Sequence, residues 1–150
     1  MNIRSISVVT GIVIVLGGNL IFHPLAQAEE KPEIEVQIHV TAAAIWQDID
    51  QQNAALGKAI QAGAFDEVHH RAFAIRDLVA ALPTHSGSLS PDKLAQVRTN
   101  AQFVDTLAQR LDTDGDAKDK AGTESSYRKL QGILDVIRAY YPGDVKGSHN

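Results

Sequence analysis

Two adjacent histidines, His69 and His70, are the side chains of this sequence most suited to metal chemistry. Imidazole binds copper, zinc and nickel, and Asp66, four residues before His70, would share a helix face with it. His39, further upstream, would complete a ligand set with these three residues. Adjacent residues of a helix point in different directions, so the pattern favours solvated histidines over a preformed metal centre.

The sequence contains no complete motif for calcium binding or for a catalytic nucleophile. The run from Asp112 to Asp116 is similar to the start of a calcium loop, but Ala117 and Thr123 stand where that loop needs Gly and Glu. The sequence has no cysteine and no G-x-S-x-G motif that would supply a nucleophile. We therefore expect a protein that is not an enzyme and whose only cofactor candidate is a divalent metal.

Several polar side chains fall at or beside positions that helical spacing assigns to a core. Such groups need hydrogen-bond partners, so they either line a ligand cavity or form a network that fixes helix register. Of these two alternatives, we favour the network that fixes helix register. These residues are Gln52, Arg71, Asn100, Tyr127 and Tyr140. Trp46, turned away from the first apolar stripe, is expected to be partly exposed and to mark a partner site.

The first two helices are predicted from apolar residues that recur every three or four positions. The first runs from the capping residue Thr41 to Gly63, and the second starts around Phe65 and stops at Pro83. A loop is expected at residues 84–89. The first stripe consists of Ile45, Ile49, Leu56 and Ile60, with the polar Gln52 among them, and the second of Val68, Ala72, Ile75, Val79 and Leu82.

The third and fourth helices are predicted from the same spacing of apolar residues. Ser90, Pro91 and Asp92 form a strong start signal for the third helix. A polar linker is expected at residues 112–122, and the fourth helix is expected from about Thr123 to Tyr140. The stripes are Leu94, Val97, Ala101, Val104, Ala108 and Leu111, then Tyr127, Leu130, Leu134, Ile137 and Tyr141.

Four amphipathic helices joined by short loops predict an all-α fold. We expect an antiparallel up-down-up-down four-helix bundle over residues 41–141. Residues 29–40 alternate polar and apolar side chains and are interpreted as an extended N-terminal arm or the frayed start of the first helix. Residues 142–150 are expected to form a disordered tail.

Residues 1–28 have the features of a cleavable secretory signal peptide. Arg4 precedes an apolar run from Ile6 to Phe22, and Ala26 and Ala28 provide the small residues of a cleavage site before Glu29. The run is shorter than a membrane-spanning helix and is interrupted by glycines. Localisation in the periplasm, without a stable membrane anchor after cleavage, is therefore predicted.

The composition of the chain argues against some classes of binding partner. Cleavage after Ala28 would leave 13 basic and 18 acidic side chains, a net charge of −5, which argues against binding nucleic acid or anionic membranes. The absence of cysteine means that no disulfide supports the fold, so core burial must stabilise it.

The layout of residues 41–141 resembles soluble periplasmic b-type cytochromes and cytochrome c-prime. The resemblance rests on the proline-broken loop after the second helix, at Pro83, and on the tyrosine-rich end of the last helix, Arg138-Ala-Tyr140-Tyr141. It implies a four-helix fold. The haem ligands of those families are absent, since there is no cysteine, Met1 is the sole methionine and residues 123–141 contain no histidine. Haem is therefore not expected.

Two functions are predicted on these grounds. The first is a non-enzymatic helical bundle of the bacterial envelope that binds a partner protein or a small ligand, as an accessory to a transport or stress system. The alternative is a low-affinity copper-, zinc- or nickel-binding protein of the heavy-metal resistance type. The oligomeric state does not follow from the sequence.

Overall fold

The fold is that of a computed structural model, which describes Ile34, Val36, Ile38 and residues 41–142. The predicted signal peptide at residues 1–28, His39 and all but Pro142 of the predicted tail lie outside the described residues. Within the described part, four α-helices pack together and no strand is formed. These are α1 (Ala42–Ala62), α2 (Val68–Ala81), α3 (Pro91–Asp116) and α4 (Lys120–Arg138). The all-α prediction is confirmed for these residues.

Both ends of α1 are where the capping residues predict them. The Thr41 side chain accepts a hydrogen bond from the Ala44 amide at 3.2 Å, which satisfies one of the donors left free at a helix start. Gly63 ends the helix in the left-handed region at φ 73°, which glycine adopts without the steric cost that a Cβ imposes.

The connection from α2 to α3 contains more helix than predicted. A 3-10 helix, Leu82–His85, follows α2 directly and has Pro83 in its first turn, where the missing amide donor costs nothing. The Thr84 hydroxyl donates to the Ala81 carbonyl at 2.8 Å. The loop predicted at residues 84–89 is therefore wrong for Thr84 and His85, and the irregular segment is confined to residues 86–90.

The polar linker predicted at residues 112–122 is also wrong. Helix α3 continues to Asp116 and α4 begins at Lys120, so the connection is residues 117–119. Lys118 takes a left-handed conformation at φ 53°, and the Asp119 side chain caps α4 by accepting from the Gly122 amide at 3.0 Å. The composition of this segment is that of a loop, but its side chains are bonded to neighbouring helices.

Those tertiary bonds explain why a polar segment remains helical. Asp112 contacts His69 of α2, and Asp114 accepts a hydrogen bond from the Ser126 hydroxyl of α4 at 2.9 Å. Gly115 is buried so close to α2 that a Cβ there would lie 3.3 Å from the Val68 Cβ. Intrinsic propensity is a weak preference that contacts of this kind override.

The core lies among all four helices. Helix α1 packs mainly on α2, α2 on α3 and α3 on α4, whereas α1 and α4 share few contacts. The predicted apolar stripes supply most of the core, and Val36 of the N-terminal arm packs against it. The fully buried large side chains include Ile45, Trp46, Ile49, Leu56, Ile75, Leu78, Leu82, Leu111, Leu130 and Ile137. Phe103 of α3 and Val136 of α4 stay outside this core and are exposed.

Candidate functional site

The predicted histidine pair is engaged in packing between helices. His69 is half-buried, its Nδ1 lies 2.8 Å from Asp112 Oδ1 on α3, and its ring packs on Phe73 with centroids 4.6 Å apart. The His70 ring meets His69 edge-on at 5.3 Å. His70 Nδ1 is buried and has no hydrogen-bond partner among the described residues. His69 thus ties α2 to α3.

The structure does not gather a metal-ligand set from the residues it describes. Asp66 is exposed in a 3-10 helix, Phe65–Glu67, that precedes α2, and His39 lies outside the described residues. Over residues 41–142, no group of three histidine or acidic side chains is placed to hold an ion. The described members Asp66, His69 and His70 accordingly do not form a site of their own.

The predicted polar core residues divide into separate groups. Arg71 donates to Gln52 Oε1 on α1 at 3.1 Å and to Glu67 Oε2 at 3.3 Å, which links α2 to α1. Asn100 and Tyr140 are half-buried, and no hydrogen bond within the described part of the chain joins them to this group. A register-fixing role fits the Gln52–Arg71 contact.

Tyr127 of α4 bonds to α1 at a place where Gly57 leaves room for its ring. Its hydroxyl donates to the Asn53 carbonyl at 3.0 Å, and the ring passes over Gly57, where a Cβ would lie only 2.6 Å from the hydroxyl oxygen. Burial raises the pKa of the Tyr127 hydroxyl above its ordinary value of 10.0. This contact and the ion pair between Arg138 and Asp50 are polar links between two helices that otherwise touch little.

The raised pKa of Tyr127 predicts a pH effect on stability. The folded state holds this proton more tightly than the unfolded state, so the associated stability is complete below about pH 10. It is lost as the pH rises through the folded-state pKa. In Tyr127→Phe, the free energy of unfolding should therefore decline less steeply above about pH 10 than in the wild type. Urea unfolding across this range measures it.

Tyr140→Phe is the matched control for that experiment, because it removes a tyrosine hydroxyl just beyond the end of α4. It should retain the alkaline decline that Tyr127 causes. An identical decline in Tyr127→Phe and the wild type would contradict the prediction.

Trp46 is not a surface aromatic, contrary to the sequence prediction. Only 2% of the residue is exposed. Its ring meets Tyr141 edge-on at 5.7 Å, and the Arg138 guanidinium lies 4.2 Å from the ring centroid. The end of α4 therefore covers the tryptophan, which helical spacing along α1 alone did not show.

Exposed apolar side chains lie instead along α3 and α4, in addition to Ile38 of the N-terminal segment. An open groove of about 510 Å³ runs between the two helices, and Phe103 on its edge is 54% exposed. The residues that line it are Phe103, Thr106, Leu107 and Arg110 of α3 and Lys129, Gly132 and Ile133 of α4. Val136, 46% exposed, lies four residues beyond Gly132 and so on the same helix face. We call this surface the α3–α4 groove.

The charge of the α3–α4 groove is opposite to that of the whole chain. Both charged residues lining it, Arg110 and Lys129, are basic, whereas the chain has a net charge of −4. Neither cation forms an ion pair with any residue in the described part of the chain. The groove thus offers an apolar floor beside two uncompensated positive charges.

The α3–α4 groove was not predicted from the sequence, although a signal was present. Phe103 and Leu107 form an i, i+4 apolar pair on the third helix, and Ile133 and Val136 form an i, i+3 apolar pair on the fourth. Each lies outside or at the edge of the stripe assigned to the core. A second apolar stripe on two consecutive helices indicates a second covered surface, but only the packing shows that the two stripes meet.

Comparison with protein families, curated proteins and solved structures identifies no match to this chain. Among the helices that the structure describes, none combines the length and the apolar character needed to cross a bilayer. The function is therefore inferred from the α3–α4 groove and from the residues themselves.

Proposed function

We propose that this chain is an exported, non-enzymatic binding protein of the bacterial periplasm. In this proposal a signal peptide, residues 1–28, is cleaved before Glu29. The remaining chain folds as an antiparallel up-down-up-down bundle that binds a partner protein through the α3–α4 groove. The short connection at residues 117–119 and the Ser126–Asp114 bond beside it support an antiparallel α3–α4 pair.

The exposure of Phe103 carries the proposal. Phe103 is 54% exposed beside an open apolar groove. A partner that covered this side chain would bury apolar surface that folding leaves in water, and this burial would stabilise the complex. The core of the bundle does not need it, since the stripes that face inward already bury their own large side chains. A surface of this kind, with exposed apolar side chains and basic residues at its edge, is typical of protein interaction sites.

Shape favours a protein partner over a small ligand. Small-molecule sites enclose most of the ligand surface and are concave. The α3–α4 groove is open along its length, with Phe103 and Val136 both about half exposed. A ligand lying there would leave much of its surface in water, whereas the flat or convex surface of a protein can cover both helices at once.

Photo-cross-linking in living cells tests the proposal. A photoreactive phenylalanine analogue at position 103 should give discrete adducts with another protein. The same analogue at Gln61, exposed on α1, is the control and should give none. Mass determination of the exported protein should show an N-terminus at Glu29. Recovery of uncross-linked chain alone from both positions would contradict the binding function.

A further inference from the structure

We infer that the partner segment in the α3–α4 groove is an amphipathic α-helix with acidic side chains beside its apolar face. This inference rests on the proposed function and specifies the chemistry of the partner. It follows from the length of the groove, from the arrangement of apolar and basic residues along it, and from the charge of the rest of the chain.

The dimensions of the groove match a short helical contact. Phe103 and Arg110 are seven residues apart on α3, two helical turns or about 10 Å. A helix lying in a groove of two turns places side chains at positions i, i+3 or i+4, and i+7 against its floor. Phe103, Leu107 and Ile133 supply apolar contacts for the first two of these positions.

The groove has a basic end and an apolar end. Ser126 bonds to Asp114, and Lys129 and Arg110 each lie about one turn from that bond along their helices. The two cations therefore flank the same end of the groove, and Phe103 lies at the other. A complementary helix has two apolar anchors followed, about one turn later, by Glu or Asp side chains that approach both cations.

A second copy of this chain is a poorer occupant. In a two-fold symmetric dimer the same surface meets itself, so Arg110 and Lys129 would face either the same cations or the apolar end of the other groove. Neither arrangement provides a carboxylate from the residues that line the groove, and desolvated unpaired cations oppose binding. An anionic membrane is also disfavoured, because membrane attraction needs more basic residues than the two found here in a chain of net charge −4.

Synthetic peptides of about 15 residues test the inference directly with the purified protein. The first carries Leu anchors on one face and Glu beside them, the second replaces Glu by Lys, and the third scrambles the order so that no apolar face forms. Calorimetry should detect binding of the acidic peptide, binding of the basic peptide at least about tenfold weaker, and none of the scrambled peptide. Equal affinities for the acidic and basic peptides would overturn the charge assignment.

A charge-reversed variant provides the sharper test. Arg110→Glu combined with Lys129→Glu should weaken binding of the acidic peptide at least about tenfold and should now bind the basic peptide. Arg128→Glu is the matched control, since Arg128 is exposed on α4 and is not part of the groove. It should leave the preference for the acidic peptide unchanged. Circular dichroism must show that both variants are folded.

The remaining outcomes separate the inference from the proposed function. If position 103 cross-links to a protein but neither helical peptide binds, the proposed function stands and the helical acidic partner is wrong. Sedimentation that shows a dimer, lost in Phe103→Ser, would make a second copy the occupant and overturn the inference. Binding of dodecanoate without binding of the acidic peptide would overturn it in favour of an anionic amphiphile.

Discussion

Replacing Trp46 by alanine is expected to lower the free energy of unfolding by about 3–5 kcal/mol. Trp46 is 2% exposed and is held between Tyr141, 5.7 Å away between ring centroids, and the Arg138 guanidinium, 4.2 Å from the ring. Truncation leaves a cavity between α1 and the C-terminal end of α4 and removes the surface against which Arg138 and Tyr141 pack. Urea unfolding followed by circular dichroism measures the loss.

Trp46→Phe distinguishes the effect of a smaller side chain from the effect of losing the aromatic ring that Tyr141 and Arg138 contact. Phenylalanine keeps an aromatic ring against Tyr141 and Arg138, and Trp46 Nε1 has no hydrogen-bond partner among the described residues, so no bond to it is lost. We expect a smaller loss than for Trp46→Ala. A loss below about 1 kcal/mol in the alanine variant would show that the tryptophan is not the packing centre that its contacts indicate.

Substituting leucine for Gly57 is expected to destabilise the protein by about 3 kcal/mol. Even a single added carbon would lie 2.6 Å from Tyr127 Oη and 3.1 Å from Tyr127 Cζ, and a leucine adds three further carbons. The Tyr127 ring would have to move, which would break its bond to the Asn53 carbonyl and weaken the packing of α4 on α1. Thermal and urea unfolding should both show the loss.

Gly132→Ala is the control for the gain in helix propensity that accompanies any replacement of a helical glycine. Gly132 lies in the middle of α4, and a Cβ added there would have no atom within 4 Å, so alanine should stabilise the protein by about 1 kcal/mol. Opposite signs at the two glycines would establish that Gly57 is required for close packing. A Gly57→Leu protein as stable as the wild type would contradict the proposed role of the Tyr127 contact.

The residues expected to govern stability differ from those expected to govern the proposed binding. Trp46 and Gly57 are buried and line no part of the α3–α4 groove, whereas Phe103, Arg110 and Lys129 are exposed at its surface. Substitutions of these three exposed residues should therefore change binding while changing the free energy of unfolding little, since surface substitutions usually have small effects on stability. The two sets of measurements test the fold and the binding surface independently.

Much of the fold was predictable because local signals and the final packing agree. The Thr41 and Gly63 ends of α1 and the Ser90 cap of α3 depend on hydrogen bonds within a few residues, and the sequence displays those residues directly. The apolar stripes have the helical period, and most of their members are in the core. Short-range physics is sufficient for these features.

The segment from Asp112 to Asp116 shows where such reasoning fails. Its composition favours a loop, but Asp112 bonds to His69, Asp114 bonds to Ser126, and Gly115 fits against Val68. Each partner is on another helix. The same limit applies to Trp46, whose burial depends on Arg138 and Tyr141 at the far end of the chain.

The sequence by itself determined that residues 41–141 form an all-α domain with a helix-forming apolar stripe in each of four segments and that the chain has no cysteine to support them. The tertiary structure decided that His69 belongs to a packing contact and that Phe103, Arg110 and Lys129 share one groove. The physical reason is that periodicity orients a side chain relative to its own helix, whereas a binding surface depends on which helix packs beside it.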